Sequence, residues 1–185
     1  MDTESLQELG RHIEASLPDA VHSVEVLLGE LIIRIERSKV VKVMTFLRDD
    51  TRCHFQQMMD LRAADYPERA ERFDVIYNLL SLHHNQRIRV KLSTDEDTPI
   101  PSITGVYTVA NWFERELWDL FGVFFSDHPD LRRILTDYGF EGHPMRKDFP
   151  LFDFVSLWEG MTNVMPAGDE KAEAPTGGNR PGSNK

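Results

Sequence analysis

The chain has 185 residues, 21 Lys+Arg against 31 Asp+Glu, a single Cys and 41% hydrophobic residues. At roughly 150 residues per domain this suits one globular domain with an extension, large enough to bury a core without staples. The lone Cys53 excludes an internal disulfide framework and Cys-only metal clusters. A net charge of −10 argues against general nucleic-acid binding, and no apolar run nears the ~20 residues that span a bilayer. The acidic start Met1-Asp2-Thr3-Glu4 lacks a signal-peptide pattern, so the composition predicts a soluble, acidic protein of a reducing compartment.

Leu6, Leu9, Ile13 and Leu17 predict a helix over 4–17, capped by Thr3 and ended by Pro18-Asp19. Residues 22–28 and 31–35 alternate as two strands of a hairpin turning at Gly29-Glu30. Ser38 is the expected cap of a helix carrying Val40, Val43, Met44 and Leu47. Phe55 to Asp65 reads as a strand with Phe55, Met59, Leu61 and Ala63 on one side, stopped by Pro67. Residues 72–82 are apolar on both faces, as suits a central strand. Ile88, Val90 and Leu92 alternate with Arg87, Arg89 and Lys91, giving a strand with one wet face after the turn His83-His84-Asn85-Gln86. The fold class expected is α+β, a mixed β-sheet of about five strands with helices packed on it.

Thr94 to Pro101 reads as a loop between two halves. A helix follows over 108–121, with Gly122 placed to end it. Prolines and glycines recur from Ser126 to Pro150, an ordered but irregular docking extension. Pro166 to Lys185 lacks large apolar residues and is expected to stay disordered. The organisation expected is an α+β domain over 1–100, the helix and irregular region over 101–165, and a tail over 166–185.

The densest chemistry lies in 112–150. Phe113, Leu117, Leu120 and Phe121 form one helical stripe; Trp112, Arg115, Trp118 and Asp119 lie on another face. Arg115 and Asp119, four apart, are spaced to pair along the helix. Such a pair is worth little in solvent but much when shut inside a contact. A helix that is apolar all round needs a second buried face, supplied by another chain or by the turn after Gly122 folding back; the first is the favoured expectation. Arg132-Arg133 and Arg146-Lys147 either form a solvated face with nearby acids or dock on carboxylates of a partner.

Glu114, Glu116, Asp119, His128 and His143 lack metal-ligand spacing, and both histidines precede proline, which favours turn-fixing hydrogen bonds. His83 and His84 are adjacent and poor joint ligands. There is no phosphate loop and no nucleophile elbow, and Cys53 and His54 would face apart on a strand. Catalytic, cofactor-binding and metal residues are therefore expected to be none.

The run Glu114-Arg115-Glu116-Leu117-Trp118-Asp119-Leu120-Phe121-Gly122, with His128-Pro129-Asp130-Leu131-Arg132-Arg133-Ile134-Leu135 and Tyr138 through Pro150, resembles the thirty-kilodalton subunit family of respiratory complex I, the C subunit of NADH-quinone oxidoreductase. Upstream agreement is looser, at the Gly29-Glu30 hairpin, Asp65-Tyr66-Pro67 and the strand of Tyr77 and Leu79. The resemblance covers roughly 5–165. One departure is that Pro150-Leu151 runs straight into Phe152-Asp153-Phe154, without the acidic, valine-rich segment usual between them, and Leu157 stands where proline is usual before Trp158-Glu159-Gly160.

The resemblance implies a non-catalytic assembly subunit of the hydrophilic arm. NADH, FMN, Fe-S clusters and quinone would be handled by other subunits, and none would be bound by this chain. The D subunit of complex I would be the chief partner, with the I and B subunits nearby, on the cytoplasmic side of the bacterial inner membrane. The partner interface implied comprises Trp112, Glu114, Arg115, Glu116, Trp118, Asp119, His128, Arg132, Arg133, Tyr138, His143, Arg146, Lys147, Asp148, Phe152, Phe154 and Trp158. The alternatives are a freestanding metal-dependent hydrolase using Glu116, Asp119 and His128, or the equivalent subunit of a membrane-bound hydrogenase or plastid-type dehydrogenase.

Overall fold

In the computed structural model, which describes residues 3–150, the period-2 and period-3.6 patterns become a mixed five-stranded sheet with helices on one face. Helix α1 spans Thr3–Ser16, so Thr3 is its first helical residue rather than a residue outside it. Leu6, Leu9 and Ile13 are buried against strands β1 (Val21–Leu27) and β2 (Glu30–Ile35). The helix crosses the sheet closely at Gly10, where a Cβ would lie 2.6 Å from the Val24 side chain. The hairpin turns at Leu28-Gly29, one residue earlier than expected. Both residues have positive φ, 52° and 78°, as the twist-matched two-residue turn requires. Glu30 is freed to pair with Leu27.

A 3₁₀ turn, Arg37–Lys39, leads into α2 (Val40–Asp49). The cap of the 3₁₀ turn is Glu36, whose carboxylate accepts from the Ser38 N–H; α2 itself is preceded by Lys39 with no side-chain cap bond, so Ser38 is not the cap. Strand β3 (Gln57–Asp65) carries a bulge between Met58 and Asp60. The extra residue is Met59, so Met58 rather than Met59 joins Leu61 in the core and Met59 is exposed. Strands β4 (Phe73–Ser81) and β5 (Gln86–Thr94) complete the sheet in the order β1-β2-β5-β4-β3. The β2–β5 pair is parallel and the others are antiparallel.

The core face of the sheet is continuous across strands: Leu31 beside Ile88 beside Leu79, and Ile33 beside Val90 beside Tyr77 beside Leu61. All of these are buried under the helices, as is Cys53, whose thiol is pushed up to about 12 chiefly by burial and then by Asp50. The stretch read as a loop after β5 contains a short strand, β6 (Ile100–Pro101), paired in parallel with β7 (Phe125–Ser126). Between them lies α3 (Ala110–Phe121), which packs on β3. Gly122 ends it in the left-handed region, donating its N–H to the Trp118 carbonyl, as its placement predicts.

Candidate functional site: helix 110–121 and the chain folded over it

Helix α3 begins without a side-chain cap. Its first-half acid is instead turned inward. Glu114 is 0% exposed; its carboxyl accepts from the Ile103 N–H at 2.8 Å and from the Ser102 hydroxyl at 2.6 Å. Burial lifts it to about 7, only partly opposed by those two donors. The Tyr77 hydroxyl, buried beneath, has no hydrogen-bond partner among the described residues, and burial and the Glu114 charge both suppress its ionisation. His128 lies alongside, its side chain fully enclosed, with Nε2 3.9 Å from Glu114. Its Nδ1 accepts from the Asp130 N–H, so Nε2 carries the proton and donates to the Asn111 carbonyl at 3.1 Å. The turn-fixing role expected for this histidine is the one it has.

Asp119 anchors the other side of the helix. It too is 0% exposed, and Oδ2 accepts three backbone N–H groups, from Ile134, Leu135 and Thr136, at 2.8–3.0 Å. Its Oδ1 accepts from the Thr136 hydroxyl and from Arg133 at 2.7 Å. Burial alone would raise this carboxyl, but the Thr136 hydroxyl and the converging amides outweigh it and hold it far below the usual range. The helical Arg115–Asp119 pair is not formed. Arg115 donates instead to the carbonyls of Arg132 and Arg133, each at 3.0 Å. Around Asp119 the second face of the helix is therefore covered by the chain itself, through the fold-back after Gly122.

His143 donates from Nδ1 to the Asp119 carbonyl and sets its ring edge-on to Trp118, with the Arg133 guanidinium 5.6 Å from the Trp118 ring. Arg146 donates to the Phe121 carbonyl and pairs with Glu96 at 2.9 Å. These two side chains close over Gly122, where a Cβ would fall 2.4 Å from Arg146 and 2.6 Å from His143. Glu116 reaches Arg62 at 3.5 Å, and Arg132 pairs with Asp130 on the exposed side. The Lys147 ammonium lies 5.3 Å from the Tyr66 ring, while the Lys147 backbone N–H donates to Asp65 at 2.7 Å.

Sequence reasoning missed the clamp that fastens this segment to the sheet. Arg72, almost fully buried, makes a bidentate pair with Asp65 (2.6 and 2.9 Å), another with Asp148 (3.0 and 2.7 Å), and a bond to Glu96 (2.6 Å). Its partners hold Arg72 firmly protonated, Asp65 first among them, and Arg72 in turn lowers Asp65, Glu96 and Asp148. The only local signal was an arginine at the mouth of an apolar strand.

Large apolar side chains also stay exposed. Trp112 is 65% and Tyr138 101% exposed, with Phe124, Leu135 and Met145 also uncovered. Phe152, Phe154 and Trp158 lie outside the described residues.

Residues 33–155 match the family described as the respiratory-chain NADH dehydrogenase 30 Kd subunit. Among curated relatives, the chain is 54% identical to the C subunit of NADH-quinone oxidoreductase from Rhodospirillum rubrum over 202 residues, covering 92% of this chain and 94% of that one. It is 50% identical to the corresponding protein of Hyphomonas neptunium (94% and 99% covered) and 51% identical to that of Caulobacter vibrioides (92% and 100%). A solved chain of the membrane-bound sulfane sulfur reductase, an archaeal respiratory membrane complex, shares the fold with a TM-score of 0.69 at 23% identity, covering 92% of this chain and 98% of that one. With half of the aligned residues identical over nearly the full length of both proteins, this chain belongs to the respiratory-chain NADH dehydrogenase 30 Kd subunit family.

Proposed function

We infer that the chain is a structural subunit of the hydrophilic arm of proton-translocating NADH:quinone oxidoreductase, and that it binds neighbours rather than transforming a substrate. The family membership carries this reading. The use made of the acids supports it: Glu114 and Asp119 are spent on positioning the chain's own backbone, out of reach of any substrate. Electron transfer from NADH through FMN and Fe-S clusters to quinone belongs to the other subunits. The D subunit is the principal partner, with the I and B subunits adjacent, and the chain is held on the cytoplasmic side of the bacterial inner membrane through the complex. No helix among the described residues is long and apolar enough to cross a membrane.

The docking surface proposed is the outer side of α3 with the wrapped segment, centred on Trp112 and Tyr138 and rimmed by Arg132, Leu135, Met145 and Lys147. Exposed aromatics with charged neighbours are the composition that interface centres favour. The buried members of the motif (Glu114, Asp119, His128, Arg133, His143) would act indirectly, by fixing the shape of that surface. The hydrolase alternative finds no support in the geometry, because Glu116, Asp119 and His128 are each engaged with different partners.

Purification of the complex from detergent-solubilised membranes, with partners identified by mass, tests the reading. The NADH-oxidising subunits and the D subunit should co-purify with this chain. Recovery of the chain alone with stoichiometric metal and turnover, or with hydrogenase subunits in their place, would overturn it.

A further inference from the structure

On the sheet face turned away from the helices, acids occur on the flanking strands (Glu25, Glu30, Asp60, Asp74), but the outward row of β5 is basic, in a chain whose net charge is −10. Along β5 the outward residues are Arg87, Arg89 and Lys91, and across the parallel register Arg34 of β2 sits directly beside Lys91. Adjacent strands lie about 4.8 Å apart, so two like charges here repel. Arg89 is neutralised within the chain by Glu30 at 2.7 Å and also donates to the Asn78 side-chain carbonyl at 3.3 Å. Arg34, Lys91 and Arg87 have no ion-pair partner among the described residues. The result is two positive poles separated by a neutral centre. Four residues of strand put the poles about 13 Å apart.

Each pole has an apolar neighbour directly across the ladder on β4, Ile76 beside Lys91 and Leu80 beside Arg87, both only half-buried. Each pole also borders a hollow. One, of about 130 Å³, is lined by Arg34, Lys91 and Arg37 together with Glu36 and Glu71; the other, of about 230 Å³, by Arg87, Arg89 and the bulged Met59. Met59 faces this side because of the bulge, which spares it from the core.

We propose that this open sheet face is a second docking site, opposite in character to the α3 surface, and that its occupant is an acid-rich segment of a neighbouring polypeptide carrying carboxylates about 13 Å apart with an apolar side chain between or beside them. Uncompensated arginine and lysine flanked by apolar residues recognise carboxylates of a protein partner, and desolvation strengthens the attraction. A flat anionic membrane fits less well, because it would lay charge over Glu30, Glu36 and Glu71 as well as over the bases, whereas carboxylates spaced along one segment can meet the two poles and miss those acids. The proposal rests on the family reading only in requiring that neighbours exist; the α3 surface is made of different residues.

A benzophenone-bearing amino acid in place of Arg87 or of Lys91, in the full chain within the purified complex, tests the site. Both positions should cross-link to one acid-rich stretch of a single neighbouring protein, located by peptide mass spectrometry. In parallel, Arg34→Glu with Lys91→Glu should cut retention of the chain in the complex on the order of tenfold at moderate salt. Arg34→Lys with Lys91→Arg should restore it. No cross-link at either position, or links confined to non-acidic surfaces, overturns the proposal. So does a charge reversal that leaves retention unchanged but abolishes binding to phosphatidylglycerol vesicles, which would assign the face to lipid. If the reversed chain fails to fold, the cross-linking result decides alone. Loss of assembly on changing Trp112 and Tyr138, with these cross-links intact, would separate the two surfaces.

Discussion

Two carboxyls on α3, both fully buried, have opposite acidities because their donors differ. Glu114 receives two hydrogen bonds against complete burial and sits near 7; Asp119 receives five and stays ionised. The folded chain therefore holds a proton on Glu114 between its ordinary 4.5 and about 7, where the unfolded chain has lost it. This contribution to stability is fully present below 4.5 and is lost as pH rises through 7, an effect of about 3 kcal/mol. Glu114→Gln should remove it. The difference in unfolding free energy between parent and variant, measured in urea at pH 4.5 and pH 7, should shift in the variant's favour at the higher pH; equal differences would refute the assignment. Asp119→Asn should behave otherwise, losing about 2–4 kcal/mol at neutral pH because an amide cannot accept from three N–H groups and an arginine together. For Asp119 the stability is present above its ordinary carboxylate value and disappears only as pH falls through its depressed one.

At the level of elements, α3 and its stop were legible in the sequence, because periodicity and a glycine at the end are local signals. Gly122→Ala tests how much hangs on that stop. A Cβ there is disfavoured by φ of 77° and collides with Arg146 and His143, so thermal unfolding should show a loss of about 2–3 kcal/mol and the segment 128–149 should exchange amide hydrogens faster. The five strands were also legible from alternation, but the side of β3 was not. One bulged residue inverts which methionine is buried, and nothing in Gln56-Gln57-Met58-Met59 distinguishes the two registers. The Arg115–Asp119 pair was the natural expectation from helical spacing. It fails because 131–136 brings a closer set of donors and acceptors from outside the helix, and main-chain groups that would otherwise be buried unpaired outcompete an exposed i, i+4 pair. The clamp on Arg72 was illegible for a related reason. Its acids come from 7, 24 and 76 residues away. Arg72→Ala would strand Asp65 without its guanidinium and should cost about 3–5 kcal/mol, read by denaturant melts.

For the molecule as a whole, the acids and bases of the motif hold the irregular segment in one shape, and the shape presents aromatic side chains outward. A purely structural residue and a docking residue should therefore respond differently. Trp112→Ala with Tyr138→Ala should leave the melting temperature of the chain nearly unchanged, since both rings are largely exposed, yet lower the amount of assembled complex several-fold, read by native gel and quinone reductase activity in membranes. Unchanged assembly would move the interface elsewhere. The buried Cys53 has a practical corollary. As the sole thiol in 185 residues, enclosed and hard to ionise, it should ignore maleimides under native conditions. A cysteine introduced at Tyr138 or Arg87 would then be the one addressable position on this polypeptide, so spectroscopic reporters can be attached to either face without first engineering the native thiol away.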